Sequence, residues 1–204
     1  MKLYSSKLAP SPLKVLIFLK EKGVFDHVEV IDLDLAKLEH KTPEYKAIAP
    51  NSRVPALKLD DDTIILETTA ICRYLESLYP EPNLFGESPM EIASIEMWQA
   101  RIYSELMIPL AMGFRHLHPA MSALETQNKE YGETQKNIGV KSLKYFNSVL
   151  SESEFVAGDR YTFADIQMIT TTDFFIDLNQ LKLEDYPEIQ RHTDLMSQRE
   201  SFSA

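Results

Sequence analysis

The chain has 204 residues, 44% of them hydrophobic, with 21 Lys and Arg against 31 Asp and Glu, a formal net charge of −10. That length holds one large or two small domains, and the composition is that of a globular protein with buried cores. The acidic balance, without any basic run, disfavours nucleic-acid backbones and anionic membranes as general partners. Met1-Lys2-Leu3-Tyr4 passes at once into polar Ser5-Ser6-Lys7, without a signal-peptide apolar stretch, and no apolar run reaches membrane length. The single Cys72 excludes an intramolecular disulfide and fits a reducing compartment, so a cytoplasmic location is expected.

Lys2-Leu3-Tyr4 reads as a short strand and Ser5 to Ala9 as a loop. Ser11-Pro12 reads as a helix start, Ser as N-cap and Pro at the first position, with the helix running to about Lys22 and stopping at Gly23. Its Val15-Leu16-Ile17-Phe18-Leu19 run is apolar nearly all round, which predicts burial. Phe25 to Leu33, alternating around Val28 and Val30, predicts a second strand reached by a right-handed parallel crossover. Asp34 to Lys46 is polar, a helix or loop interrupted by Pro43.

From Asn51 to Tyr79 the pattern sharpens. Pro55 opens a strand through Leu59, where its missing N–H costs no ladder bond. Asp60-Asp61-Asp62 makes a turn, and Thr63 to Leu66 is β-branched and apolar, a buried strand. Ile71, Tyr74, Leu75 and Leu78 then fall on one helical face directly after Glu67-Thr68-Thr69. A helix start carries unpartnered N–H groups and partial positive charge. With a hydroxyl and a carboxylate beside it, it suits a zwitterionic α-amino-acid head. The competing reading is that Thr68 or Thr69 caps the helix and Glu67 complements its dipole. Cys72, beside a core position, reads as a small packed hydrophobe.

Pro80, Pro82, Asn83 and Gly86 mark a connector, which puts the domain boundary near residues 80–88. Ser88-Pro89 with Glu91 restarts a helix that runs from Met90 to about His118, with a kink predicted at Pro109 and Gly113. A second long helix is expected from about Ser122 to Leu150. Thr162 and Asp165 form a variant capping box, with Tyr161 and Ile166 as the hydrophobic staple, before a core helix through Ile169 and Phe174-Phe175. Asp165 is therefore structural. His116 and His118 lack the carboxylate or Cys company of a metal site, so no metal is expected.

Val54-Pro55, two strands and Glu67-Thr68-Thr69-Ala70-Ile71 together resemble the glutathione S-transferase family. Its glutathione-binding half has a Val/Ile-cis-Pro turn followed by Glu-Ser-x-Ala-Ile, and Thr68 keeps the hydroxyl of the usual Ser. Gly158-Asp159-Arg160-Tyr161-Thr162-Phe163-Ala164-Asp165 resembles the Gly-Asp-x-x-(Ser/Thr)-x-Ala-Asp segment of the helical half. The resemblance, to the bacterial theta-, delta- and beta-like members, implies an α+β thioredoxin-like domain (βαβ-α-ββα) over residues 1–79. An all-α helical bundle domain follows over residues 89–204.

It further implies an enzyme that binds glutathione and conjugates its thiolate to a small hydrophobic electrophile, as in detoxification. Glutathione would be co-substrate, with no resident cofactor, and the assembly a homodimer. The alternative is a binding or regulatory protein of the same fold that has lost turnover. His40, within Glu39-His40-Lys41-Thr42-Pro43-Glu44, matches a segment whose His reaches the glycine carboxylate of glutathione. Arg53 stands where many bacterial members carry Lys, with Ser52 beside it. Val54, before Pro55, would pair its backbone with the cysteinyl part, and Glu67 with Thr68 would hold the γ-glutamyl head. Tyr103, Met107, Ala111, Phe114 and Arg115 are the candidates for the second substrate.

The catalytic position departs from the family. Members stabilise the glutathione thiolate with Tyr, Ser or Cys near the end of the first strand or the start of the first helix. Matched through Lys14-Val15 to the bacterial Ser-Pro-x-x-Arg-Lys-Val, the usual Ser is Ala9 here, and the Cys of beta-like members is Pro10. Ser11 is the candidate thiolate stabiliser, but one hydroxyl must serve either the helix cap or the sulfur. Tyr4, Ser5 and Ser6 are the fallbacks.

Overall fold

A computed structural model describes residues 1–202, so the last two residues of the expected helical domain lie outside it. The chain divides into two compact units, one from Met1 to Leu84 and one beginning at Phe85.

The first unit is built on a four-stranded sheet in the order β2-β1-β3-β4, from β1 (Lys2–Ser5), β2 (Glu29–Asp32), β3 (Ala56–Lys58) and β4 (Ile64–Leu66). β1 runs parallel to β2 and antiparallel to β3, and β3 pairs antiparallel with β4. The parallel crossover is carried by α1 (Pro10–Glu21), whose Val15, Ile17, Phe18 and Leu19 are buried as the apolar run predicts. α1 packs beside α3 (Thr68–Leu78), which buries Ile71, Cys72 and Leu75. On the opposite side, Tyr45 and Ala49 of α2 (Pro43–Ile48) and its end cluster with Ala56, Tyr4, Val54 and Leu66. The expected thioredoxin-like arrangement is present.

Several expectations are corrected. The residue at the α1 N-cap is Ala9, with no side-chain cap bond, so Ser11 is not the cap. The strand expected from Phe25 is confined to Glu29–Asp32, because Phe25–His27 closes a 3₁₀ turn (Val28 N–H to Phe25 O, 3.2 Å). Pro43 starts α2 rather than interrupting a helix: Thr42 Oγ1 accepts the Tyr45 N–H at 3.3 Å, and a first-turn Pro forfeits no helical bond. β4 is half-buried rather than buried, since it forms the edge of the sheet. On α3, Leu78 is 46% exposed and Cys72 takes its place in the buried face.

The second unit is helical: α4 (Pro89–Arg101), α5 (Ile108–Leu117), α6 (Lys129–Leu150), α7 (Phe163–Phe175) and α8 (Pro187–Ser197). Ser88 caps α4 by accepting the Glu91 N–H at 3.2 Å. Between α4 and α5, Ile102–Met107 forms a π-helical turn, closed by the Ile108 N–H on Tyr103 O. Pro109 offers no N–H and crowds the carbonyl one turn back, and the wider turn absorbs the defect where a kink is predicted. α6 begins at Lys129, later than expected, because Asn128 Oδ1 caps it through the Tyr131 N–H (3.0 Å). Gly139 lets α6 close on α5: a Cβ there would stand 2.6 Å from Leu110 Cδ2.

The capping box at α7 forms as predicted. Asp165 Oδ2 accepts the Thr162 N–H at 2.8 Å and its hydroxyl at 3.1 Å. Its Oδ1 accepts the Val156 N–H at 2.8 Å and lies 3.0 Å from His192 Nε2 on α8, with both side chains fully buried. α7 is the core helix, and the hydroxyls of Thr170, Thr171 and Thr172 donate back to carbonyls one turn earlier.

Candidate functional site

Strand register fixes where the first unit gathers its chemistry. Tyr4 pairs with Ala56, and Ala56 pairs with Leu66. Ser5 at the end of β1, Pro55 just before β3 and Glu67 just after β4 therefore lie at one end of the sheet. β2 leaves at the same end, Ser5 pairing with Asp32, and the chain continues from there to His40. The strand ladders thus bring the end of β1, the Val54-Pro55 turn and the start of α3 to the same end of the sheet.

Thr68 Oγ1 donates to the Ser11 carbonyl at 3.2 Å, which joins the first turns of α1 and α3. Two helix N-termini, each with partial positive charge, thus lie together. At α1, Pro10 and Pro12 have no N–H, so Ser11 carries the N–H of the first turn as well as a hydroxyl. Glu67, the residue before α3, is exposed and holds φ 71°, a left-handed conformation that turns the chain sharply off β4 into the helix.

The loop before β3 is set by Tyr45, a residue that the sequence does not mark as special. Tyr45 is buried and donates its hydroxyl to Arg53 O at 2.6 Å, and burial pushes its pKa up to about 12. Ser52 holds φ 54°, Asn51 Oδ1 accepts the Arg53 N–H at 3.2 Å, and the Val54-Pro55 bond is cis. The Arg53 side chain is exposed. His40 lies in a 3₁₀ turn, Glu39–Lys41, where Glu39 Oε2 accepts the Asp34 N–H at 2.8 Å. Its Nδ1 is buried with no partner among the described residues, and desolvation holds its pKa below the ordinary imidazole value.

The fallback hydroxyls divide. Ser5 and Ser6 are both buried at the end of β1, and Ser6 Oγ accepts the Leu8 N–H at 3.4 Å. Tyr4 sits within β1 and packs on Tyr45. Cys72 is fully buried on α3, and burial raises its thiol pKa well above the ordinary value.

In the second unit, Tyr103 and Met107 fall in the π turn, and Ala111, Phe114 and Arg115 on α5. Tyr103 is 48% exposed. Met107, Ala111 and Phe114 lean on the helical core, and Arg115 pairs with Glu125.

Comparison with known proteins agrees with this architecture. The family described as "Glutathione S-transferase, N-terminal domain" matches residues 10–78, and "Glutathione S-transferase, C-terminal domain" matches residues 105–200. Glutathione S-transferase 2 of Saccharomyces cerevisiae is 39% identical over 171 residues, covering 83% of this chain and 73% of that protein. The chain belongs to the glutathione S-transferase family. Its backbone matches the crystal structure of Gtt2 from Saccharomyces cerevisiae with a TM-score of 0.89 at 35% identity, over 99% of this chain and 98% of that one. A glutathione S-transferase domain-containing protein from Marinobacter aquaeolei gives 0.89 at 34% identity over the whole of both chains.

Proposed function

We propose that this transferase binds glutathione at the end of the sheet where Ser11, Val54-Pro55 and Glu67-Thr68 meet, and transfers its thiolate to a small hydrophobic electrophile. The observation that carries the reading is the hydrogen bond from Thr68 to the Ser11 carbonyl, which sets the two helix starts side by side in one unit.

The exposed Glu67 carboxylate takes the ammonium of the γ-glutamyl head. The Thr68 hydroxyl has given its hydrogen to Ser11, so what Thr68 offers the α-carboxylate is its backbone N–H at the start of α3. The Val54 backbone pairs with the cysteinyl residue as one more strand would. Arg53, with Ser52 and His40, takes the glycine carboxylate. The cysteinyl sulfur is then left toward the start of α1. A free thiol has a pKa of about 8.5, and a hydroxyl and an N–H on Ser11 with the helix dipole favour the thiolate. Because Ala9 occupies the cap, the Ser11 hydroxyl need not serve two partners.

Residues 1–79 are the glutathione-binding domain in this reading, residues 80–88 the linker and residues 89–204 the helical domain. Tyr103, Met107, Ala111, Phe114 and Arg115 supply the second-substrate wall. The chain works as a homodimer: Tyr131, Ile138 and Tyr145, seven residues apart on α6, form an exposed stripe, with Met97 exposed on α4. Arg101 links these helices, stacked 4.5 Å from the Tyr145 ring. No resident metal or cofactor is needed for this chemistry. No helix among the described residues is long and apolar enough to cross a membrane, and with one buried cysteine the proposed location is the cytoplasm.

Retention on immobilised glutathione, together with turnover of an aryl halide by wild type and Ser11→Ala, tests the reading. Ser11→Ala should be retained but lose turnover. Wild-type retention without turnover would favour the non-catalytic alternative, and loss of retention would remove the site altogether.

A further inference from the structure

The peptide that joins Arg53 to Val54 is trans, so its C=O and its N–H point to opposite sides of the chain. Its carbonyl end is fixed inward: Arg53 O accepts the Tyr45 hydroxyl at 2.6 Å, and Tyr45 is only 3% exposed. Its N–H end, on Val54, is therefore turned away from that buried ring. Neither the Val54 N–H nor the Val54 C=O bonds to another described residue, although Val54 is half-buried. A main-chain donor and acceptor left open on one residue are what an added extended segment pairs with.

Tyr45 is itself held from both ends. Thr42 Oγ1 accepts its N–H at the start of α2, and its ring lies 5.7 Å from that of Tyr4 on β1. Ala49 and Ala56 cluster with it, and Leu33, Val54 and Leu66 pack against them. Burial pushes the hydroxyl pKa up to about 12, so the donor keeps its hydrogen at any pH near neutral. Ser52, at φ 54°, and Asn51 Oδ1, which accepts the Arg53 N–H, hold the preceding peptide. Among the described residues only Tyr45 bonds the next one. Without that hydroxyl, Arg53 O would face an apolar cluster with no donor, a cost that turning the peptide over relieves. The turned peptide would present a carbonyl where the Val54 N–H stood, and a carbonyl repels another carbonyl. The bond into Arg53 O also polarises the peptide and strengthens its N–H as a donor.

We propose that Tyr45 is a positioning residue for glutathione: through its bond to Arg53 O it aims the Val54 N–H at the cysteinyl carbonyl of the tripeptide. This rests on the placement of the cysteinyl part against Val54 given above. Tyr45 touches no substrate and acts through one peptide plane.

The test is calorimetric titration of two ligands into wild type, Tyr45→Phe and Leu33→Ala. One is glutathione; the other is γ-glutamylcysteamine, which keeps the γ-glutamyl head and the thiol but lacks the cysteinyl carbonyl and the glycine. Tyr45→Phe keeps the ring and should weaken glutathione about three- to tenfold, while changing the truncated ligand by less than about twofold. In turnover the same variant should raise the glutathione KM by a similar factor and leave kcat at saturating glutathione unchanged. Leu33→Ala loosens the same cluster without touching Arg53 O. It should lower the melting temperature and keep the wild-type ratio between the two ligands. Equal weakening of both ligands by Tyr45→Phe, weakening of neither, or the same selective loss in Leu33→Ala would each overturn the proposal. A wild type that binds glutathione no better than the truncated ligand would instead remove the placement of the cysteinyl part, and the proposal with it.

Discussion

Ser11 differs from a plain helix cap because the cap is Ala9 and the flanking residues are prolines. The account therefore expects Ser11→Ala to lower kcat with an aryl halide by about 10²-fold, as removal of one preorganised donor does elsewhere, with little change in the glutathione KM. Steady-state kinetics at saturating electrophile read this directly. Lys14 presents a second residue-level case. It is 3% exposed on α1, and burial lowers its pKa to about 8, with Cys72 pulling weakly the other way. Between about 8 and 10.5 the unfolded chain holds a proton that the folded one has lost, so this group's contribution to stability rises with pH there and is lowest at neutral pH. Lys14→Met should thus raise the melting temperature most at neutral pH, and the difference from wild type should shrink as pH climbs through that window. A constant difference would place the effect in packing instead.

At the scale of elements, the register of β1, β3 and β4 delivers Ser5, Pro55 and Glu67 to one end of the sheet, and most of that was legible in the sequence. Pro55, the aspartate turn and the β-branched Thr63 to Leu66 segment carry local signals that tertiary packing does not override. Tyr45 carries none: one aromatic in a polar stretch gives no hint that its hydroxyl reaches Arg53 O eight residues on. The π turn was half legible, since Pro109 announces a defect but not how the helix absorbs it. The Asp165 cap was readable from four consecutive residues, but its contact with His192 was not, being 27 residues away. That contact makes α7 and α8 depend on one buried carboxylate with four contacts. Asp165→Ala should cost about 3–5 kcal/mol in urea unfolding, well beyond an ordinary cap at about 1 kcal/mol. A loss near the smaller figure would show that His192 contributes nothing. Gly139→Val should also destabilise, by about 1–3 kcal/mol, because its side chain would enter Leu110.

For the whole molecule, charge and composition bounded the class, and the two family segments identified it, yet the stripe on α6 was invisible until exposure was known. Tyr131, Ile138 and Tyr145 recur with a period that also suits a buried face, and only the structure shows them exposed. If the proposed homodimer is built on this stripe, Ile138→Glu should give a monomer in light scattering where wild type gives a dimer, without lowering the melting temperature of the monomer. A variant of unchanged mass would move the interface to another face.

The central claim is that the start of α1 stabilises the thiolate of a glutathione held by Glu67 and Thr68. Its most direct test is ultraviolet titration of the thiolate in the binary complex. Wild type should show a bound thiol titrating below the free value of about 8.5, and Ser11→Ala should return it toward that value. A bound thiol that titrates as the free one does in wild type, or a shift that survives Ser11→Ala intact, would contradict the account.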